Sequence, residues 1–396
     1  MTTRLPLQGV RVLDLSRVLA GPWCGMVLGD LGAEVIKIEH PRRGDDTRDW
    51  GARADQTRTA YFNSANRNKR SVGIDLQTPE GQALVLSLAS RCDVVIQNFR
   101  FGGAEKLGLG YAQVRAVKPD VVYCSVSGYD RSGAEAARPG YDLVIQGESG
   151  LMAINGEHGQ RPLKFGVAAV DLFTGMYAAQ AVLAALFDRL RTGSGRHVEL
   201  ALYDCGLMIS AYCGLEALLS ERDPPRYGNS HPSIVPYGVF EAQDGPLVIT
   251  VGNNAQFRRF CLDVIERPDL AGDERYATNT GRTAHRQALL EQLVREIASR
   301  SRNLLLDRLR AAEIPCGEVL GLLDALQSPR TVAGGLVAPC ADGAGSVFAP
   351  PYRLDGDRPG VRLAPPSLGE GTQDVLGAWL GLDAGTLEEL ARKQVI

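Results

Sequence analysis

Along the first third of the chain, short apolar or alternating runs are separated by longer segments with helical spacing. Residues 10–15, Val-Arg-Val-Leu-Asp-Leu, alternate and predict a strand. Ala20, Gly21 and Pro22 then open a helix whose first turn suits a proline, and Gly32 suits its end. Residues 33–39 predict a second strand, which completes a β-α-β unit. The alternation recurs, with strands at 71–76, 93–97 and 120–126 and helices at 79–91 and 111–118. Strands alternating with helices predict an α/β fold with a doubly wound, mostly parallel sheet.

The pattern changes after residue 127. A glycine-rich, polar stretch runs to 162, and such long connections are usually functional. Residues 172–190 follow, apolar on almost every side, which predicts a helix buried within a large domain. Asp171 stands at its start. A turn at 192–195, a strand at 198–202 and an apolar helical stretch at 204–219 come next. Pro224, Pro225, Pro232 and Pro236 mark a linker. Beyond it lie a hairpin (237–242 and 246–251), a loop at 252–257 and helical patterns at 281–299 and 302–312. The chain closes with a helix at 321–327, Pro/Gly-rich strands and helices near 372–381 and 385–393. The domain reading is a large domain of 1–220 and 330–396 and a smaller α+β domain of 225–325. Linkers fall near 221–236 and 321–340.

Composition narrows the function classes. The 396 residues are 44% hydrophobic and 22% charged, ordinary for a soluble globular protein. A net charge of −3 gives no reason to expect nucleic acid as a partner. No uninterrupted apolar run of about 18 residues predicts a membrane span, and no signal peptide is legible. Cysteines 24, 92, 124, 205, 213, 261, 316 and 340 form no C-x-x-C pair and read as free thiols in a reducing cytoplasm. The five histidines are dispersed, so no metal site is expected. Glu39 ends the second strand, where dinucleotide folds often hold a ribose. The first turn, however, lacks the G-x-G-x-x-G phosphate cradle, and neither a P-loop nor a G-x-S-x-G elbow occurs.

Two features carry candidate chemistry. The 40–70 segment is basic, with His40, Arg42, Arg43, Arg48, Arg67, Lys69 and Arg70. It is either a solvated surface or a grip on phosphates. Asp171 reads locally as a helix N-cap, kept ionised by orphan N–H groups and the helix dipole. The alternative is a carboxylate nucleophile aimed by a rigid element.

The ordered set of Val12-Leu13-Asp14-Leu15, Leu31 through Glu39, Asn68-Lys69-Arg70-Ser71, Thr78-Pro79-Glu80-Gly81, Val170-Asp171-Leu172 with Thr174-Gly175, His231-Pro232 and Val251-Gly252-Asn253 resembles the family III CoA-transferases. The resemblance implies a large Rossmann-like domain with a smaller one inserted, two subunits as an interlocked-ring homodimer, and Asp171 as nucleophile. It implies coenzyme A and acyl-CoA as substrates, with no tightly bound cofactor. Contacts to CoA are expected at Val18, Leu19, Ala20, His40 (with Arg42 or Arg43 in its stead), Ser71, Val72, Gly73, Ile74, Asn98, Phe99, Arg100, Lys106, Tyr141 and Asp142. A loop at Gly252, Asn253, Asn254 and Gln256 is expected over the substrate. Relatives with a similar 231–237 stretch move CoA between succinate and dicarboxylates such as citramalate, mesaconate, itaconate or glutarate. The alternatives are an α-methylacyl-CoA racemase, which needs a histidine base where Tyr141 stands, and a non-catalytic CoA-binding protein.

Overall fold

The computed structural model describes residues 4–343 and 345–396, which divide into two compact units. The first unit comprises 1–152, 164–221 and 329–396; the second comprises 153–163 and 222–328.

The first unit is built on six parallel strands: β1 (Arg11–Asp14), β2 (Glu34–Glu39), β3 (Lys69–Gly73), β4 (Val94–Gln97), β5 (Val122–Ser127) and β6 (Arg196–Ala201). Their order is β3-β2-β1-β4-β5-β6, and Val12 pairs with Val35 on one side and Val94 on the other. Val12, Leu13, Ile36, Val94, Val95 and Ile96 are fully buried. Continuous apolar strands are what a sheet covered on both faces requires. Both ends of the chain contribute to this core. Val375, Leu376 and Trp379, on the helix Thr372–Leu380, pack with Leu13, Ile36, Val95 and Tyr123.

Two expectations change here. The third strand is Lys69–Gly73, beginning earlier than 71–76. Its charged start reads as loop in sequence, but Lys69 is buried and its ammonium is fully occupied. It donates to Asp14 Oδ2 (2.9 Å), the Pro22 carbonyl (2.7 Å) and Asn66 Oδ1 (2.9 Å). The long helix is Ala169–Thr192, with Ala168 at its N-cap and no capping side chain of its own. Asp171 is therefore its third residue, not its cap. Nor is the helix buried all round: Met176, Phe187 and Leu190 are exposed on the single chain. By length and composition alone it is apolar enough to cross a membrane, yet half of that apolar window packs inside this unit.

The second unit holds an antiparallel sheet, β7 (Tyr237–Ala242), β8 (Gly245–Thr250) and β9 (Cys316–Glu318), in that order. Phe240, Leu247 and Ile249 pack there with Leu293 and Leu305 from the helices Arg286–Ala298 and Arg302–Ala311. The stretch 153–163, which the sequence reading leaves in the large domain, belongs to this unit. Arg226 donates to the carbonyls of Ala153 (3.0 Å) and Gln160, and Gly228 N–H to that of Gly156 (3.1 Å).

Candidate active site

With the order β3-β2-β1-β4-β5-β6, the connections leaving β1 and β4 diverge, and ligands bind open α/β sheets at that switch point. The two connections are tied together there. Arg17 N–H donates to Asn98 Oδ1 (2.9 Å), and Asn98 Nδ2 returns a bond to the Arg17 carbonyl (2.7 Å). A buried charge cluster lies beneath. Lys69 holds Asp14, Lys37 holds Asp45 (2.8 Å), and Lys37 also donates to the Ser16 carbonyl (2.7 Å). Burial works against the Asp14 carboxyl, but Lys69 and Lys37 keep it below the usual carboxylate range. Burial pushes Lys69 down to about 8. Asp45 accepts from Val18 N–H (3.2 Å), fixing a β-branched residue at φ +70°. Such strain persists only where surroundings impose it, and it clusters at functional sites.

The same turn leads into the helix Ala20–Asp30, which packs against the long helix. The contact depends on Gly175: a Cβ there would lie 2.7 Å from the Ala20 carbonyl oxygen and 2.8 Å from Trp23 Cβ. Asp171 stands one turn earlier, only 9% exposed. Burial, and then the charge of Asp142, raise its pKa to about 7. This corrects the expectation that a cap position keeps Asp171 ionised. Its place in the helix offers no compensating partner, so loss of water dominates.

Asp142 takes the capping role instead. Its Oδ1 accepts from the N–H groups of Val170 (2.9 Å) and Asp171 (3.3 Å), and its Oδ2 from Gln146 Nε2 (2.6 Å). The segment carrying it crosses the end of β5 where neither backbone has a side chain. A Cβ on either Gly128 or Gly140 would lie 2.7 Å from the other's Cα.

A cavity of about 630 Å³ opens at this edge, with Asp171 on its wall. Of the expected contacts, Val18, Leu19, Ala20, Asn98, Phe99, Arg100, Lys106 and Tyr141 line it. So do Arg17, Asp46, Gln77, Ser127, Gly128 and Arg138, which sequence reasoning missed. Arg17 and Ser127 had a legible signal, since each sits at or just past the end of a strand. Arg138 had none outside its glycine-rich connection. Phe99 N–H is anchored by Gln97 Oε1 (2.8 Å). Gln97 Nε2 donates to Ser125 Oγ (2.8 Å), which meets His197 Nε2 (2.9 Å), so three neighbouring strands steady this wall.

The family model for CoA-transferase family III matches residues 7–372. The succinate–glutarate CoA-transferase of Agrobacterium fabrum is 43% identical over 337 residues, 84% of this chain and 84% of that protein. The succinyl-CoA:glutarate CoA-transferase of Mus musculus is 38% identical over 394 residues, 99% of this chain and 90% of that one. The crystal structure of a CAIB/BAIF family protein from Brucella suis matches with a TM-score of 0.86 at 38% identity, covering 95% of this chain and all of that one. This chain belongs to the family III CoA-transferases. CoA thioesters are thus its substrates.

The remaining expected contacts of this CoA-transferase lie elsewhere. Ser71, Val72, Gly73 and Ile74 do not line the cavity. Ser71 Oγ donates to Glu39 Oε1 (2.6 Å) and accepts from Gly369 N–H (2.9 Å), while Gly73 N–H donates to Thr372 Oγ1 (2.9 Å). Val72 and Ile74 are core side chains. Glu39, the position of a ribose carboxylate, is consumed by Ser71, the Asp45 N–H and a buried bond to Arg48 (2.6 Å). His40, Arg42 and Arg43 form a separate turn. His40 Nδ1 accepts from the Arg42 and Arg43 N–H groups (3.2 and 3.3 Å), and burial and then Arg43 lower its pKa. Asp142 does not line the cavity and meets Asp171 through the latter's N–H (3.3 Å). Gly252, Asn253, Asn254 and Gln256 fold in the second unit. There Asn253 Oδ1 caps the helix Asn254–Arg259 through Gln256 N–H (2.9 Å), and Gln256 Oε1 accepts from Gly252 N–H (2.9 Å). Asn254 Oδ1 accepts from Arg282 (3.1 Å).

Proposed function

We propose that the chain moves coenzyme A from succinyl-CoA to a dicarboxylic acid, with glutarate as the leading acceptor and citramalate, mesaconate and itaconate as further candidates. One observation carries the reading: a buried carboxylate with no hydrogen-bond partner among the described residues, Asp171, on the wall of a cavity that also holds Arg17, Arg100, Lys106 and Arg138. Cations suit the CoA phosphates and the substrate carboxylates. The names of the two glutarate-using relatives favour that acceptor.

In this mechanism an Asp171 oxygen attacks the thioester carbonyl, the C–S bond breaks and CoA leaves as thiolate. The mixed anhydride so formed is attacked by the thiolate at the aspartyl carbon, giving an aspartyl-CoA thioester and free succinate. The acceptor carboxylate attacks the aspartyl carbon of that thioester, the C–S bond breaks, CoA leaves again as thiolate and a second anhydride forms. The thiolate then takes the acceptor's acyl group and frees Asp171. No proton is consumed overall. The covalent route replaces one difficult exchange with steps in which a thiolate or carboxylate leaves. CoA binds along Val18–Ala20, Asn98–Arg100 and Lys106, and the working form is a homodimer. The eight cysteines are free thiols, in keeping with a reducing compartment.

An acceptor panel tests this reading. Purified enzyme with succinyl-CoA is offered each dicarboxylate, and acyl-CoA products are read by mass spectrometry. Glutaryl-CoA or another C5 dicarboxyl-CoA is the expected product. Exchange of an α-proton for deuterium without CoA transfer would instead identify a racemase.

A further inference from the structure

We propose that Arg17 determines acceptor specificity by holding the non-reacting carboxylate of a dicarboxylate; this rests on the dicarboxylate reading above. When one carboxylate of such a substrate reaches Asp171, the other enters the same partly desolvated cavity and needs a counter-charge there. Four cations line that cavity, and three are otherwise accounted for. Arg138 is paired with Glu135 (2.8 Å) and Glu148, and its guanidinium lies over the Tyr129 ring. Arg100 and Lys106 have no ion-pair partner among the described residues. They sit on the segment after β4 that is assigned to CoA, whose phosphates carry several negative charges.

Arg17 differs in how it is held. Its backbone is clamped in both directions by Asn98, so the root of the side chain is fixed. Its guanidinium pairs with Asp46, and the two side chains are 54% and 44% exposed. Such an exposed pair contributes little, so a carboxylate of higher local concentration can replace it. Asp46 is itself fixed close by. The adjoining Asp45 binds Val18 N–H, and Asp45 Oδ1 accepts from Thr47 N–H (3.0 Å). Asp46 thus acts as a resident carboxylate, marking where the substrate's distal carboxylate docks against a planar, bidentate donor. Arg17 also directly precedes Val18, Leu19 and Ala20, and Ala20 abuts Gly175 one turn along the helix from Asp171. The reactive and the recognition positions are therefore carried on two elements packed in direct contact.

Glutarate and pentanoate separate recognition from chemistry, because they differ only in a terminal carboxylate against a methyl group. Both are offered together in one reaction, so they compete for the same enzyme-bound CoA and differences in donor handling cancel. The ratio of glutaryl-CoA to pentanoyl-CoA is read by mass spectrometry. Arg17→Gln lowers this ratio at least ten-fold, Arg17→Lys lowers it less, and Asp46→Asn preserves or raises it. An unchanged ratio in a folded Arg17→Gln or Arg17→Lys enzyme would overturn the assignment. A fall in the ratio with Asp46→Asn would also overturn it, since freeing Arg17 must not weaken its hold. If the wild-type enzyme itself shows no preference for glutarate, the dicarboxylate reading fails first and takes this one with it. A wild-type preference untouched at Arg17 removes this inference alone.

Discussion

At the scale of single residues, the state of Asp171 is what the neighbourhood controls. Its carboxyl titrates at about 7 because burial, and then Asp142, disfavour the charge. As a nucleophile it must be ionised. Transfer, followed as kcat/KM against pH, is expected to fall as the pH drops below about 7 and to level off above it. Asp142→Asn removes the nearby charge while keeping an acceptor for the Val170 N–H. It is expected to move that acidic limb to lower pH. Asp171→Asn is expected to reduce transfer by roughly three orders of magnitude or more. It should also stabilise the fold. The folded pKa lies above the unfolded value of about 3.9, so Asp171 favours folding when protonated and loses that contribution as pH rises through 7. At pH 8 the Asn variant should gain up to about 4 kcal/mol in denaturant unfolding; a loss of stability would contradict this account. The position of Asp171 was legible from the apolar run it opens. Its protonation was not, because the burial and Asp142 that set it come from elsewhere in the chain.

At the scale of elements, the site depends on the close approach of two helices. Gly175 leaves room for the Ala20 carbonyl and Trp23 Cβ. Gly175→Ala is expected to push the helices apart, costing about 1–3 kcal/mol of stability and lowering kcat for transfer by misplacing Asp171 against the 17–20 turn. Full stability and activity in that variant would show that the contact tolerates a methyl group. The sequence placed β1, β2, β4 and β5 closely, because apolar alternation and the intervening helices are local signals. It misplaced the start of β3, where Lys69 sits in a strand only because Asp14, Asn66 and the Pro22 carbonyl receive its ammonium. Ser71 and Gly73, expected at the ligand, also bond the C-terminal residues Gly369 and Thr372, and no local pattern reports a contact from about 300 residues away.

At the scale of the whole molecule, apolar surface remains on the single chain. Phe187 and Leu190 on the long helix, and Leu215, Leu218 and Leu219 on the helix Ala211–Ser220, are exposed. Large apolar side chains exposed this far on two helices suit burial against a second copy of the chain. Sedimentation or light scattering is expected to return twice the chain mass. Leu218→Asp combined with Leu219→Asp is expected to shift it towards the monomer, and a monomeric wild-type enzyme would refute the dimer. What the sequence determined by itself is whatever follows from neighbours along the chain: strand and helix alternation, the parallel sheet, and an acidic residue opening an apolar helix. What only the tertiary structure decided is the company each residue keeps. The strand order sends the connections from β1 and β4 to opposite sides, and a cavity opens at that edge of the sheet. It gathers Arg17, Asn98, Arg138 and Asp171 from four separate segments, and it withdraws the water that had held Asp171 ionised.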